Sequence, residues 1–253
     1  GSAFSNDDYN ASIGNSNYNS LEASLKHSSK RLDIAASYTF SKSIDQASSL
    51  SDPINPFNFR ATRSLSAFDL KHDLVTTFEY RVQQKTGTRI MQALLNGWGI
   101  SGIARASSGF PVTLRSTGDN SLTGSIPNGV NNYSLDLPDY NGQPLALNHN
   151  PRNGLEYFNT GAFTENALGT PGNASRRTFH GPGALNFDLA LLRNFNLGES
   201  RALQFRFETF NTFNHAQFFG PSAVNGNIDT ALFGQIVKAA PPRLAQVALK
   251  FTF

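Results

Sequence analysis

Seven segments of this chain alternate apolar and polar residues over about 11 to 13 positions each, and that pattern limits the fold more than anything else in the sequence. Successive side chains of an extended strand point to opposite sides, so alternation gives each segment one greasy and one wet face. In Asn17–His27 the apolar set is Leu21, Ala23 and Leu25. In Arg31–Ser43 it is Leu32, Ile34, Ala36, Tyr38 and Phe40, and in Leu70–Val82 it is Leu70, Leu74, Phe78, Tyr80 and Val82. Gly97–Ser107 repeats the pattern more weakly, with Trp98, Ile100, Gly102, Ala104 and Ala106. Ala184–Phe195 presents Leu185, Phe187, Leu189, Leu191 and Phe195, and Arg201–Phe213 presents Leu203, Phe205, Phe207 and Phe213. The last segment, Arg243–Phe253, sets Ala245, Val247, Leu249, Phe251 and Phe253 against Gln246, Lys250 and Thr252. These lengths exceed the usual 5 or 6 residues of a soluble strand. They suit the 9–11 residues that cross a bilayer at a tilt.

The connections follow a rule of their own. Three are short (Ser28–Lys30, Gln83–Asn96, Asn196–Ser200), and they alternate with three long ones (Lys42–Asp69, Ser108–Gly183, Asn214–Pro242). Short turns at one end and long loops at the other are the arrangement of outer-membrane barrels. A soluble domain would not tolerate a structureless loop as long as Ser108–Gly183. The expected fold is therefore all-β: an antiparallel transmembrane β-barrel segment of about 7–8 long meandering strands. Seven strands cannot close an up-and-down antiparallel barrel, since the seam would be parallel, and open edges in hydrocarbon cost several kcal/mol per unsatisfied group. Either an eighth strand lies in Gly1–Ser16 or the long loop, or the chain is part of a longer one and does not insert alone. A β-sandwich with the same apolar set turned inward is the competing arrangement.

Composition removes other classes. Charged residues make up 15% of the chain, against about 25% in ordinary globular proteins. Mean hydropathy is −0.33, and no apolar run approaches the ~20 residues of a membrane helix. A net charge of +3, dispersed along the chain, does not suit nucleic acid. There is no cysteine, hence neither a disulfide framework nor a thiolate metal site. On the apolar faces Arg193 is the clearest charge and His72 lies near a loop. The aromatic residues Tyr38, Phe40, Tyr80, Trp98, Phe195 and Phe213 fall toward segment ends, as interfacial girdles require. The opposite faces mix signs through Arg31, Asp33, Lys71, Asp73, Glu79, Arg81, Arg206, Glu208 and Lys250, which suits a hydrated interior where the charges pair.

The C-terminal segment, ending in phenylalanine after Val247, Leu249 and Phe251, resembles the closing strand of bacterial outer-membrane barrels. In those proteins Phe253 and the apolar positions before it would be the barrel-assembly signal. Several stretches resemble the C-terminal barrel of TonB-dependent receptor-like outer-membrane proteins, especially the carboxypeptidase-regulatory-domain-bearing type of acidobacteria. They are Asn15–Leu21, Ser37–Asp45, Leu65–His72, Asn96–Gly102, Ser108–Pro111, Phe158–Phe163, His180–Gly183 and Phe207–His215. Thr62–Leu65 departs from that pattern, which more often has an acidic residue and glycine there. The resemblance implies that residues 1–253 are the C-terminal part of a 22-stranded barrel, with plug and TonB-contacting segment upstream of Gly1.

No catalytic constellation accompanies these features. His27, His72, His149, His180 and His215 are scattered, without metal-ligand spacing or a nucleophile elbow. Asp69, His72 and Asp73 sit at a loop-to-strand junction where solvated charge is normal. Asp52–Asn55 and Asp136–Asp139 lack the dense oxygen spacing of a calcium loop and read as turns. The expected protein is not an enzyme and has no catalytic, cofactor or metal site. Loop residues Phe57, Phe59, Arg60, Arg176, Arg177 and Phe179 are candidate ligand contacts, with packing of the loops on themselves as the alternative. The resemblance implies a transporter for a small ligand or glycan, whose partners are outer-membrane lipid, the barrel-assembly machinery, its own plug and TonB. The alternatives are an outer-membrane barrel that transports nothing and binds surfaces or partners through its loops, and a soluble β-rich binding domain.

Overall fold

The computed structural model describes residues 12–49, 52–55, 57–83, 86–123, 136–148, 155–198 and 201–253. In chain order the elements are β1 (Ser16–Ser28), β2 (Leu32–Asp45), β3 (Ser64–Leu65), β4 (His72–Arg81) and α1 (Arg89–Leu95). They continue with β5 (Trp98–Ser107), β6 (Asp139–Tyr140), β7 (Phe163–Thr164), β8 (Ala184–Asn196), β9 (Ala202–Phe210) and β10 (Leu244–Thr252). The long strands form one antiparallel meander in the order β1-β2-β4-β5-β8-β9-β10, with β3 added at the end of β2. All seven alternating segments are strands of this wall. Their observed lengths run from 9 residues (β9, β10) to 14 (β2), a wider range than the alternation alone suggested.

The differences have local causes. The sixth segment was expected to continue to Phe213, but β9 stops at Phe210 because Asn211 takes a positive φ of 51°. Its side chain then bonds the carbonyl of His215 at 2.9 Å, which turns the chain out of the sheet. Gln83–Asn96, read as a plain turn, contains α1, started by the Thr88 hydroxyl accepting the Met91 amide at 3.3 Å. Of the proposed homes for an eighth strand, residues 1–11 and 124–135 lie outside the described residues. Ser16 already belongs to β1, and the described part of the long loop holds the β6–β7 ladder and isolated bridges such as Pro111–His180, none of them a strand of the wall.

Pairing register keeps the two faces separate across the whole sheet. Along one row, Leu25 stands beside Ala36, Ala36 beside Thr76, Thr76 beside Ala104, and Ala104 beside Phe187. Further along the strands, Ile34, Phe78, Gly102 and Leu189 form a second row. Phe207 pairs with Leu191 on one side and Val247 on the other. A one-residue slip at any ladder would throw a wet face against a greasy one. Leu74, Tyr80, Ile100, Leu185 and Phe207, in the inner strands of the wall, are all exposed, and no second sheet covers them among the described residues. The sandwich arrangement is thereby excluded for these residues.

The dry core of the molecule lies elsewhere, in the long loops. Val112, Leu114, Phe158, Ala162, Phe163, Ala174 and Val224 pack together, with Tyr157, Phe179, Ile228, Phe233 and Ile236 around them. Phe158 meets Phe163 and Phe233 edge-on, with ring centroids 5.8 and 5.3 Å apart. Chain segments approach so closely that a side chain will not fit at some points: a Cβ on Gly226 would lie 2.0 Å from the Thr113 carbonyl oxygen. The described parts of the long connections therefore form a folded module at one end of the wall.

Candidate functional site

Among the described residues, the candidate functional surface is the wall together with the loop module. On the apolar side the two ends of the strands carry aromatic clusters. At the long-loop end Tyr38 donates to or accepts from His72 Nδ1 at 2.8 Å, and the His72 ring lies 5.2 Å from that of Phe40. At the short-turn end the Arg193 guanidinium lies over Trp98 (4.9 Å) and Phe195 (4.7 Å). Arg193, a cation of the apolar face, is thus held at the interfacial end by two aromatic rings, where cation–π attraction offsets part of its desolvation.

The opposite face is concave and wet. A groove of about 680 Å³ lies on it, lined by Lys26, Asp33, Glu79, Asp188, Arg206 and Glu208 together with apolar residues such as Phe78, Ile103 and Phe210. Arg81 bridges Asp33 (2.6 Å) and Glu79 (2.8 Å), and Arg105 forks onto Asp73 (3.0 and 3.1 Å). Arg206 pairs with Glu208, which Gln246 of the neighbouring strand also contacts. Charges of this face therefore pair across and along strands at Arg81, Arg105 and Arg206, beside Lys26 and Asp188 in the same groove. Lumenal charge is tolerated where charge on the outer face would meet hydrocarbon.

The loop module is tied to the wall by buried ions. Arg176 has no exposed side-chain surface; it donates to the Asp45 carboxylate (2.5 Å) and to the Gln46 carbonyl (2.6 Å), and its Nε lies 3.6 Å from Asp52. Arg177, 4% exposed, grips both oxygens of Asp52 and donates to the Thr113 hydroxyl at 2.7 Å. Burial pushes the Asp52 carboxyl up, but the Arg177 hydrogen bonds and charge, the Ser48 amide and the Arg176 charge outweigh it. Its pKa is held below the usual carboxylate value. Burial lowers the Arg176 guanidinium from its ordinary value, opposed by the Asp52 charge. Asp229 is held low in the same manner: burial raises it, and the hydroxyl and amide of Thr117 with the Ser116 hydroxyl and Gly118 amide overcome that.

The residues singled out in the loops are distributed unevenly. Arg176 and Arg177 are internal struts, and Phe179 packs against the loop core at 4.9 Å from Phe158, so these three serve the packing of the loops. Phe57 (76% exposed) and Arg60 face solvent, and Phe59 is half-buried. Asp69, His72 and Asp73 do not converge. Asp69 meets His180 (2.7 Å), His72 meets Tyr38 on the apolar face, and Asp73 meets Arg105. Asn55 does form a turn, accepting the Phe57 and Asn58 amides. Asp52 and Asp136 do more than the turns expected of them, because each is a buried acceptor joining distant segments; Asp136 takes the Ser121 amide at 2.9 Å. Val247, Leu249, Phe251 and Phe253, expected from the sequence to form an assembly signal, are exposed, and all but Phe253 lie within the edge strand β10.

A sequence model of the outer membrane β-barrel domain family matches residues 2–246. No curated protein and no solved structure matches the chain. Bilayer-length strands in register, a greasy outer face with aromatic ends, a wet concave face and loop asymmetry agree with that match. The chain belongs to the outer membrane β-barrel domain family, and its place is the bacterial outer membrane.

Proposed function

We propose that this chain supplies barrel wall and extracellular loops to a TonB-dependent transporter for nutrient uptake, and that it performs no covalent chemistry. The observation that carries the reading is the inner face: seven strands form one open antiparallel sheet with a groove whose lining includes charged residues, several of them ion-paired. In the described residues β1 and β10 each pair on one side only. Unsatisfied strand edges in hydrocarbon cost several kcal/mol per group, so on this reading both edges are covered by further barrel strands. A barrel of the 22-stranded transporter type has a lumen wide enough to hold a plug, and a mixed-charge lining suits contact with one. On this reading the exposed apolar positions of β10 engage the assembly machinery before the barrel closes.

A second reading has its own support. The loops are not slack but fold around a core and present Phe57, Leu122 and Leu168 to solvent. A rigid outer platform of this kind suits an outer-membrane barrel that binds surfaces or partners without transport. Uptake assays separate the two. Cells expressing the whole protein, with and without functional TonB, are offered radiolabelled iron chelates, cobalamin and oligosaccharides. Transport predicts accumulation of at least one class, lost on deleting either gene. Accumulation indifferent to both deletions, with loss of surface adhesion on deleting the barrel, favours the platform.

A further inference from the structure

We propose that α1 is a membrane foot: a short helix that lies in the headgroup zone of the inner leaflet and presses its apolar side into phospholipid. The inference rests on the outer-membrane placement of the wall and is independent of transport.

α1 sits at the short-turn end of the wall, which in outer-membrane barrels is the periplasmic one. Its apolar residues are Ile90, Met91, Leu94 and Leu95. At 100° per residue these fall within an arc of about 140°, with Arg89 and Gln92 outside it. All four are exposed, Ile90 at 73% and Leu94 at 58%. A helix of 7 residues is far below the length at which helices persist unaided in water. Four large apolar side chains left wet on so short an element call for an occupant.

The geometry says which side of the wall that occupant is on. The Trp98 indole donates to the Leu94 carbonyl at 3.0 Å and so ties the end of the helix to Trp98. Trp98 belongs to the apolar row of β5 with Ile100 and Gly102, not to the groove side. Between helix and strand, Gly97 has a φ of 86°, and a Cβ there would lie 2.5 Å from the Asn194 carbonyl oxygen. Only glycine fits this close approach to β8, whose Asn194 amide donates to the Gly97 carbonyl at 2.9 Å, so the chain passes from α1 directly into its pairing with β8. The Arg193 guanidinium stacked on Trp98 and Phe195 is immediately adjacent. The apolar side of α1 is therefore continuous with the surface that meets acyl chains, at the depth where Trp and Arg anchor to the interface. A periplasmic protein, or another domain of the same protein, would have to bind beside lipid rather than beneath the lumen.

The test uses the whole protein reconstituted in 3:1 phosphatidylethanolamine–phosphatidylglycerol vesicles. Single cysteines are placed by Ile90→Cys, Leu94→Cys and Gln92→Cys, with Leu191→Cys marking the wall, and labelled with an environment-sensitive fluorophore. Lipids carrying a nitroxide at acyl carbon 5 or 12 then quench by depth. Positions 90 and 94 should be quenched at least threefold more by the shallow nitroxide than position 92, and more by the shallow than the deep one. Position 191 should respond to the deep nitroxide. Equal quenching at 90, 92 and 94 would overturn the proposal, as would positions 90 and 94 shielded from both nitroxides and aqueous iodide, the sign of a protein cover. An unquenched position 191 would remove its foundation, the wall's contact with lipid. If a variant does not assemble, Met91→Cys and Leu95→Cys report the same side.

Discussion

Replacing Asp52 by alanine should unlock the loop module while leaving the wall intact. Asp52 is 5% exposed and accepts from two donors, the Arg177 guanidinium and the Ser48 amide at 2.6 Å, with the Arg176 charge 3.6 Å away. In Asp52→Ala, Arg176 keeps Asp45 and the Gln46 carbonyl, but Arg177 retains only the hydroxyls of Thr113 (2.7 Å) and Ser48 (3.4 Å). A buried guanidinium without a counter-charge typically costs about 3–5 kcal/mol when its partner is removed. At 1.4 kcal/mol per tenfold, local opening should rise by roughly two to three and a half orders of magnitude. Amide hydrogen exchange followed by mass spectrometry on the reconstituted protein reads this directly. The Leu114 amide donates to the Arg176 carbonyl at 2.9 Å and the Val112 amide to the Phe179 carbonyl at 3.0 Å, so both exchange only when the module opens. As a control, Asp73→Ala breaks the partly exposed Arg105 pair, where about 0.2–1 kcal/mol is expected. A change under tenfold in Asp52→Ala, or an equal change in the control, would refute the argument from burial.

Acid should act on the same contact. The Asp52 carboxyl has a folded pKa below its ordinary 3.8, so the unfolded loop binds the proton more readily and stability rises with pH through that window. Its contribution is complete above the unfolded value and lost as pH falls through the folded one. Protease resistance of the loops should hold from neutral pH down to about 4 and drop only below that; a fall between pH 7 and 5 would contradict it. The two faces of the wall should differ in their tolerance of charge. Leu189→Arg, at the middle of β8 on the outer face, should cost about 2–4 kcal/mol in urea unfolding from vesicles, whereas Ser101→Arg on the inner face should cost little. Equal costs would invert or abolish the assignment of faces.

The wall was legible in the sequence because its information is local. Period-two alternation marks each strand, and matching the apolar sets of adjacent segments already aligns Ile34, Phe78 and Leu189. The loop module was not legible, because its core residues follow no period and lie far apart: Val112 and Val224 share one cluster. Arg176 finds Asp45 across 131 residues, a partnership that no spacing announces, which is why a pair of adjacent arginines looked like a ligand contact. α1 lay between the two cases. Thr88 before an apolar run was a visible start signal, but seven residues in a connection already accounted for as a turn gave too little pattern to register.

The buried Arg176 and Arg177 joints have a consequence for how the protein reaches its final position. The loops must cross the membrane as extended chain, because Arg176, Asp45 and Asp52 have no burial to share until the strands flanking them are side by side. Once they meet on the far side, the loops condense into a knot far too broad to slip back between lipids. Retreat would require unpairing those ions and wetting the Phe158 cluster at the same time. Condensation of the loops thus acts as a ratchet pawl, turning a reversible threading into a one-way step.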